Sequence, residues 1–185
     1  MPLSADYTPR AYWCSAIVYS QELGEYTKGI EYYQHILENW PDYKYVWYAQ
    51  FLLGRYYEKL QKTGALPKSE AEAKIDGAYE AVIEEYPDCR LVPVAALKLG
   101  RRNFKRGQSS DAAHYLGLFV QKHAGRTPNH VFITALYDLE RSYEKMGDSY
   151  LAAEVYRIFV EMAEPDDSRL KTAKAKLKEL EGAEK

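Results

Sequence analysis

Three pairs of basic residues share one spacing in this sequence. In each pair an Arg stands two residues after a Leu, and a Lys follows four residues after the Arg. The pairs are Arg55 and Lys59, Arg101 and Lys105, and Arg141 and Lys145. Because residues four apart lie on one face of a helix, each pair would place two positive charges side by side. Such side chains bind carboxylates through charge-assisted hydrogen bonds, which predicts an acidic ligand.

The residue types that usually carry catalysis show no comparable arrangement. The sequence has no Gly-rich phosphate loop, no HExxH motif and no nucleophile elbow. Its four His share no metal-ligand spacing, and Cys14 and Cys89 stand far apart, outside any CxxC motif. We therefore expect no enzymatic activity, no cofactor and no metal, and we expect both cysteines to be free thiols.

Composition narrows the class of protein further. Hydrophobic residues make up 46% of the 185 residues and charged residues 28%, which is typical of a folded protein. No apolar run approaches the roughly 20 residues that span a bilayer, and the first residues do not resemble a secretory signal. We expect a soluble protein, cytoplasmic if the chain is complete and periplasmic if an export signal was removed. A net charge of −2 gives no general attraction for nucleic acid.

One phrase occurs twice in the sequence. "WPDYKYVWYAQFLLG" starts at Trp40, and "YPDCRLVPVAALKLG" starts at Tyr86. Each has an aromatic residue, Pro-Asp, a short link and an apolar run that ends in Leu-Gly. Proline lacks an amide hydrogen and clashes with the preceding helical turn, so it ends the helix before it. The phrase therefore predicts a joint between two helices.

The joints separate units of two helices. Gly24, Gly107 and Gly147 each end the first helix of a unit, and the segments around the last two align without a gap at an offset of 40 residues. Apolar residues recur at helical spacing on both sides of these glycines. Helix, turn, helix and stop is thus the repeated unit.

These units resemble tetratricopeptide repeats. They share a turn Gly, a small residue early in the second helix, an aromatic residue four positions later and a terminal Pro. The small residues are Ala112 and Ala152, the aromatic residues are Tyr33 and Tyr156, and the terminal prolines are Pro41 and Pro87. The resemblance implies an all-α protein, a right-handed superhelical α-α solenoid of about four helix pairs in a single domain, 1–185. Its units would be 10–43, 47–90 with an insertion near 61–70, 93–126 and 133–166, followed by a capping helix at 168–182.

Two departures from the repeat pattern concern the point where the helices of a pair cross. Ile17 and Glu140 stand where the first helix usually has a small residue, and we expect them to loosen or re-angle their helix pairs. The Pro-Asp phrase is also similar to that of bacterial outer-membrane assembly lipoproteins and Tol-Pal accessory proteins, which implies a bacterial protein of the cell envelope.

The resemblance also implies where a partner binds. In tetratricopeptide arrays the first helices line a concave groove, and the three Arg-Lys pairs would form a ladder along it. The predicted site is completed by one further cation, Lys98, and by three aromatic residues, Tyr48, Phe51 and Phe104. Phe104 stands where the other pairs have Glu58 and Glu144, so the middle pair is the least neutralised. We expect the groove to hold an acidic peptide segment of another protein, with no small-molecule substrate.

Other interpretations of the same residues remain open. Glu58 and Glu144 lie three residues after Arg55 and Arg141, and intrahelical pairing would absorb part of the charge. The ladder could instead bind single-stranded nucleic acid, with the aromatic rings stacking on bases. A third interpretation is a self-associating scaffold that uses an apolar patch around Tyr12, Tyr19 and Tyr26.

Overall fold

The computed structural model describes residues 7–123 and 130–183, and all regular secondary structure in these ranges is helical. The helices are α1 (Tyr7–Ile17), α2 (Tyr26–Asn39), α3 (Val46–Thr63), α4 (Lys68–Glu85), α5 (Val92–Arg106), α6 (Ser109–His123), α7 (His130–Met146), α8 (Ser149–Met162) and α9 (Leu170–Ala183). A π-helical turn, Val18–Glu22, continues α1. The predicted all-α class is confirmed.

The chain forms two compact units that divide within α5, between Ala95 and Ala96. In the first unit α1 packs on α2, α2 on α3 and α3 on α4. In the second unit α6 packs on α7, α7 on α8 and α8 on α9. Consecutive helices that pack on their neighbours through short connections are the arrangement of an α-α solenoid.

The helix ends follow from proline and glycine. Helix α2 ends just before Trp40 and Pro41, and α4 ends just before Tyr86 and Pro87. Gly107 and Gly147, which separate the helices of the later pairs, have φ angles of 77° and 75°. A side chain is strained in this left-handed conformation, so glycine is the residue that lets the chain turn back at once.

The predicted insertion near 61–70 lengthens the second helix pair. Helices α3 and α4 have 18 residues each, and only residues 64–67 between them are not helical. Gly64 ends α3 with a φ of 73°, and Pro67 precedes the first residue of α4. Residues 124–126, which end the third predicted unit, lie outside the described residues.

The core of each unit consists of apolar side chains from both helices of every pair. Tyr33 and Tyr79 are fully buried in the first unit, and Leu116 and Phe159 are fully buried in the second. Helix α9 contributes Ala173, which is also fully buried. The apolar stripe of α9 thus faces α8, while three lysines on its other face, Lys171, Lys174 and Lys178, are exposed.

Candidate functional site

Cations from α5 and α7 lie together in the second unit. We call this surface the basic face and define it by Arg101, Phe104 and Lys105 of α5 with Arg141 and Lys145 of α7. Arg101 reaches across to α7, where its Nε lies 4.0 Å from Oδ2 of Asp138. Two of the three predicted Arg-Lys pairs are therefore on neighbouring helices.

Phe104 is the apolar centre of the basic face. Its half-buried ring has the guanidinium carbon of Arg141 at 5.5 Å from the ring centre and the Nζ of Lys145 at 5.3 Å. Cations are attracted to the face of an aromatic ring at these distances. The ring therefore holds both cations of α7 near α5, without neutralising either charge.

Asp138 is a member of this cluster that the sequence interpretation missed. Burial raises the pKa of its carboxyl group, and the positive charges of Arg101, Arg141, Arg169 and Lys105 oppose that shift. The Asp138 carboxyl group thus lies near four cations. Its spacing contained a signal, since Asp138 stands three residues before Arg141 and so shares its helix face.

Arg169 approaches the same cluster from the link between α8 and α9. Its Nη2 lies 2.6 Å from Oδ2 of Asp167, and its Nη1 donates a 3.3 Å hydrogen bond to Oγ1 of Thr134. The hydrogen bond from Arg169 lowers the pKa of Asp167 to about 2. The guanidinium also lies 5.2 Å from the ring centre of Tyr137 on α7. Arg169 is held in place by these contacts, and its position outside a helix gave no sequence signal.

Glu144 forms an ion pair with α9 and is not a simple ion-pair partner of Arg141. Its Oε1 lies 3.9 Å from Nζ of Lys176 on α9. Arg141 instead lies over the rings of Phe104 and Tyr137, at 5.5 and 5.7 Å from their centres. The basic face therefore keeps more positive charge than intrahelical pairing of Arg141 with Glu144 would leave.

The other predicted cations are not part of the basic face. Lys98 is half-buried on α5, four residues before Arg102 and three before Arg101. Arg55 and Lys59 are exposed on α3, in the first unit. Tyr48, also on α3, is half-buried with its ring centre 5.6 Å from that of Trp13.

Phe51 differs from its predicted place beside the cations. Its side chain is only 5% exposed, and its ring centre lies 5.4 Å from that of Tyr79. Phe51 and Gly54 are three residues apart and share a helix face, and Gly54 also contacts Tyr79. Phe51 is therefore a packing residue between α3 and α4 and is not part of the candidate site.

The tyrosines of the predicted self-association patch have partners within the first unit. Tyr12 stacks on His35 at 4.4 Å between ring centres, Tyr19 stacks on Tyr32 at 5.4 Å, and Tyr26 stacks on Tyr56 at 5.9 Å. Each of these rings therefore packs on another ring of the same unit without a second copy.

Within residues 7–123 and 130–183, no group of three or more His, Cys, Asp or Glu side chains could hold a metal ion. Over the same ranges, no helix is both long and apolar enough to cross a bilayer. Cys14 and Cys89 are free thiols, as predicted.

Comparison with known proteins gives the fold. No family model matches the sequence. No curated protein matches it either. Among solved structures, one of nearly identical TPR-like repeats, from a Podosopora anserina protein described as a kinesin light chain, is 16% identical with a TM-score of 0.53. A single-substitution variant of that protein is also 16% identical, with a TM-score of 0.54. Each match covers 98% of this chain and 89% of the other. This chain therefore has the fold of a tetratricopeptide-like helical repeat protein, as its repeated phrases predict.

Proposed function

We propose that this chain is a noncatalytic scaffold that binds an acidic segment of a partner protein on the basic face of the second unit. One observation carries the proposal: three exposed or half-buried cations, Arg101, Lys105 and Arg141, all act on the carboxyl group of Asp138. Helical repeat proteins of this fold typically bind other proteins, which supports the general function.

Arg101 has the geometry to accept a further carboxylate. Its Nε lies 4.0 Å from Asp138, at the long end of an ion pair, and its side chain is 34% exposed. A guanidinium has five N–H donors, so several remain for a partner. A carboxylate of the partner could bind two of them at once, which is the geometry in which Arg binds carboxylates most strongly.

Phe104 adds an apolar contact to these charges. The ring is half-buried beneath Arg141 and Lys145, so a partner side chain that reaches it would also displace water from the two cations. Aromatic residues and Arg are the usual anchors of protein interfaces. We therefore expect the bound segment to alternate acidic residues with at least one apolar residue.

A charge reversal tests the basic face. The probe is a short fluorescein-labelled peptide of Glu with one Leu, and binding is followed by fluorescence anisotropy. We expect the wild-type protein to bind it and Arg101→Glu with Lys105→Glu to abolish binding, while circular dichroism shows the same helicity. Binding should also weaken as salt is raised, because surface charges are screened.

The matched control is Lys122→Glu with Lys171→Glu. Both lysines are exposed, on α6 and α9, and the change in net charge is the same. The proposal predicts that this control binds the peptide like the wild-type protein. Equal losses in both double variants would show a general charge effect and contradict the basic face. Tighter binding of a single-stranded oligonucleotide than of the peptide would favour the nucleic-acid alternative.

The first unit offers a separate test of the remaining pair. Arg55 and Lys59 are exposed on α3, with the half-buried Tyr48 two turns before Arg55. We propose that this pair also contacts acidic residues of a partner, and that Arg55→Glu with Lys59→Glu weakens peptide binding less than the reversal on α5. Membership of the bacterial envelope subgroup rests on the Pro-Asp phrase and stays a prediction.

A further inference from the structure

The joint between α2 and α3 forms a surface pocket that the proposed function does not use. The pocket has a volume of about 630 Å³ and lies in the first unit. Arg10 of α1 and Lys44 of the joint line it together with Trp40, Asp42 and Tyr43. It therefore combines two cations, one carboxylate and two aromatic rings.

The two cations lie near the same phenol group. Burial raises the pKa of Tyr43, and the charges of Lys44 and Arg10 oppose the shift. Both cations are exposed, and the Nζ of Lys44 lies over the ring of Tyr45, 4.8 Å from its centre. In the part of the chain that the structure describes, neither cation has a carboxylate within ion-pair distance. The charges of the described lining residues, Arg10, Lys44 and Asp42, sum to one positive unit.

The same joint is built a second time between α4 and α5, with the opposite charge. Its pocket, about 520 Å³, also lies in the first unit and is lined by Glu85, Asp88 and Arg90. Here the cation is used internally, since the guanidinium carbon of Arg90 lies 5.4 Å from the ring centre of Trp47. Two carboxylates and one guanidinium leave a net charge of one negative unit.

The repeated phrase makes the two joints comparable residue by residue. Lys44 and Arg90 occupy the same place after Pro-Asp, whereas Asn39 stands where the second joint has Glu85. The first helix of the pair before each joint also lines its pocket, with Arg10 of α1 in the first and Trp47 of α3 in the second. The positive charge of the first pocket therefore comes from particular side chains and is not a property of the joint itself.

We propose that the first pocket binds a small organic monocarboxylate with a flat apolar body. One negative charge matches the net charge of the pocket, whereas a phosphate dianion exceeds it. Arg10 offers two parallel N–H groups to a carboxylate and Lys44 a point charge. The neutral hydroxyl group of Tyr43 can donate a third hydrogen bond, and the ring of Trp40 provides the apolar wall.

Benzoate is the probe for this pocket. Titration into the isotope-labelled full chain, followed by nuclear magnetic resonance, should shift the Trp40 indole N–H and saturate at millimolar concentration. Arg10→Gln and Lys44→Gln should each weaken binding by about tenfold. Benzamide, which is neutral, and phenyl phosphate, which is dianionic, should both bind more weakly than benzoate.

The second joint supplies the matched control. Arg90→Gln removes a cation from the other pocket and should leave the benzoate titration unchanged. All three substituted residues are exposed, so we expect each variant to fold like the wild-type protein. The proposal is overturned if benzoate causes no saturable shift at Trp40, if Arg90→Gln weakens binding as much as Lys44→Gln, or if phenyl phosphate binds more tightly.

A second probe distinguishes the source of the carboxylate. A short peptide with both ends blocked and a single Glu beside a Phe presents the same chemistry as part of a protein. Saturation by this peptide at a lower concentration than by benzoate, with loss in Lys44→Gln, would assign the pocket to a protein side chain. Tighter binding of benzoate would assign it to a free small molecule.

Discussion

The helix crossings at Gly54 and Gly100 differ sharply from the one at Glu140, although each residue follows a Leu at the same place in its unit. A carbon atom added to Gly54 would lie 2.6 Å from the Tyr79 ring, and one added to Gly100 would lie 2.6 Å from Leu116. At the third position a whole carboxylic acid side chain is fully buried. The same position of the repeat thus holds a glycine at a close helix contact in two pairs and a buried carboxyl group in a third.

The first helix pair provides a third variant of the crossing. Ile17 occupies the aligned position of the first helix. The glycine at the close contact lies on the second helix instead. A carbon atom added to Gly29 of α2 would lie 2.6 Å from Cβ of Ser20 and 3.3 Å from the carbonyl oxygen of Ala16. Ser20 lies in the π-helical turn and donates a 2.6 Å hydrogen bond to that same carbonyl.

The first three helix pairs each have one close contact at a glycine, and either helix of the pair can provide that glycine. The fourth pair has no glycine at either of these places, since Glu140 and Ala152 occupy them. Its crossing is filled by a carboxyl group whose two oxygens have no hydrogen-bond partner among the described residues. Such a group is costly to bury in its charged form.

The largest expected effect is the pH dependence that Glu140 imposes. Burial, with a smaller contribution from Glu144, raises the pKa of Glu140 to about 9, while Arg169 and Arg141 oppose the shift. The folded state therefore keeps a proton that the unfolded chain releases above its ordinary pKa. The contribution to stability is complete at acidic pH and falls as pH rises toward 9, by about 1.4 kcal/mol per pH unit.

Urea unfolding between pH 6 and pH 8 measures this contribution of Glu140 to the free energy of unfolding. Wild-type protein should lose about 3 kcal/mol more than Glu140→Gln over this interval, because the amide resembles the protonated acid and does not titrate. Glu161→Gln is the control, since Glu161 is exposed on α8 and should keep the wild-type slope. Parallel pH profiles for the wild-type protein and Glu140→Gln would show that the buried carboxyl group is not protonated.

The next effect concerns the close contact of the first pair. We expect Gly29→Ala to lower the free energy of unfolding by about 2 kcal/mol, because the new methyl group meets the Cβ of Ser20 and nearby backbone. The gain in helix propensity, about 1 kcal/mol, offsets only part of the overpacking. Ser20→Gly with Gly29→Ala removes the Cβ that the methyl group meets. An identical loss in the double and single variants would contradict this cause.

Much of this fold could be predicted because glycine and proline act locally. Pro41 and Pro87 end helices whatever they pack against, and Gly107 and Gly147 turn the chain through their own backbone angles. The Arg-Lys spacing likewise placed Arg101 and Lys105 on one face of α5. Because the units repeat, a helix boundary predicted in one unit also predicts the boundary in the next.

The parts that could not be predicted depend on contacts between distant residues. Arg169 reaches Asp138 from outside any helix, and Phe51 is buried because Gly54 allows Tyr79 to approach. The burial of Glu140 is a tertiary effect as well, since its identity alone indicates an exposed helix position. Of these three features, the burial of Glu140 arises where a unit departs from the repeat pattern.

The smallest expected effects come from two Gly-to-Ala substitutions in the second helix pair, which should change the stability in opposite directions. Gly54→Ala forces a methyl group against the fully buried Tyr79 ring, and we expect a loss of about 1 kcal/mol after the gain in helix propensity. Gly77→Ala, in the middle of α4, meets nothing within 4 Å and should raise stability by about 0.5–1 kcal/mol. Urea midpoints that shift in the same direction for both variants would show that close approach at Gly54 does not limit this crossing.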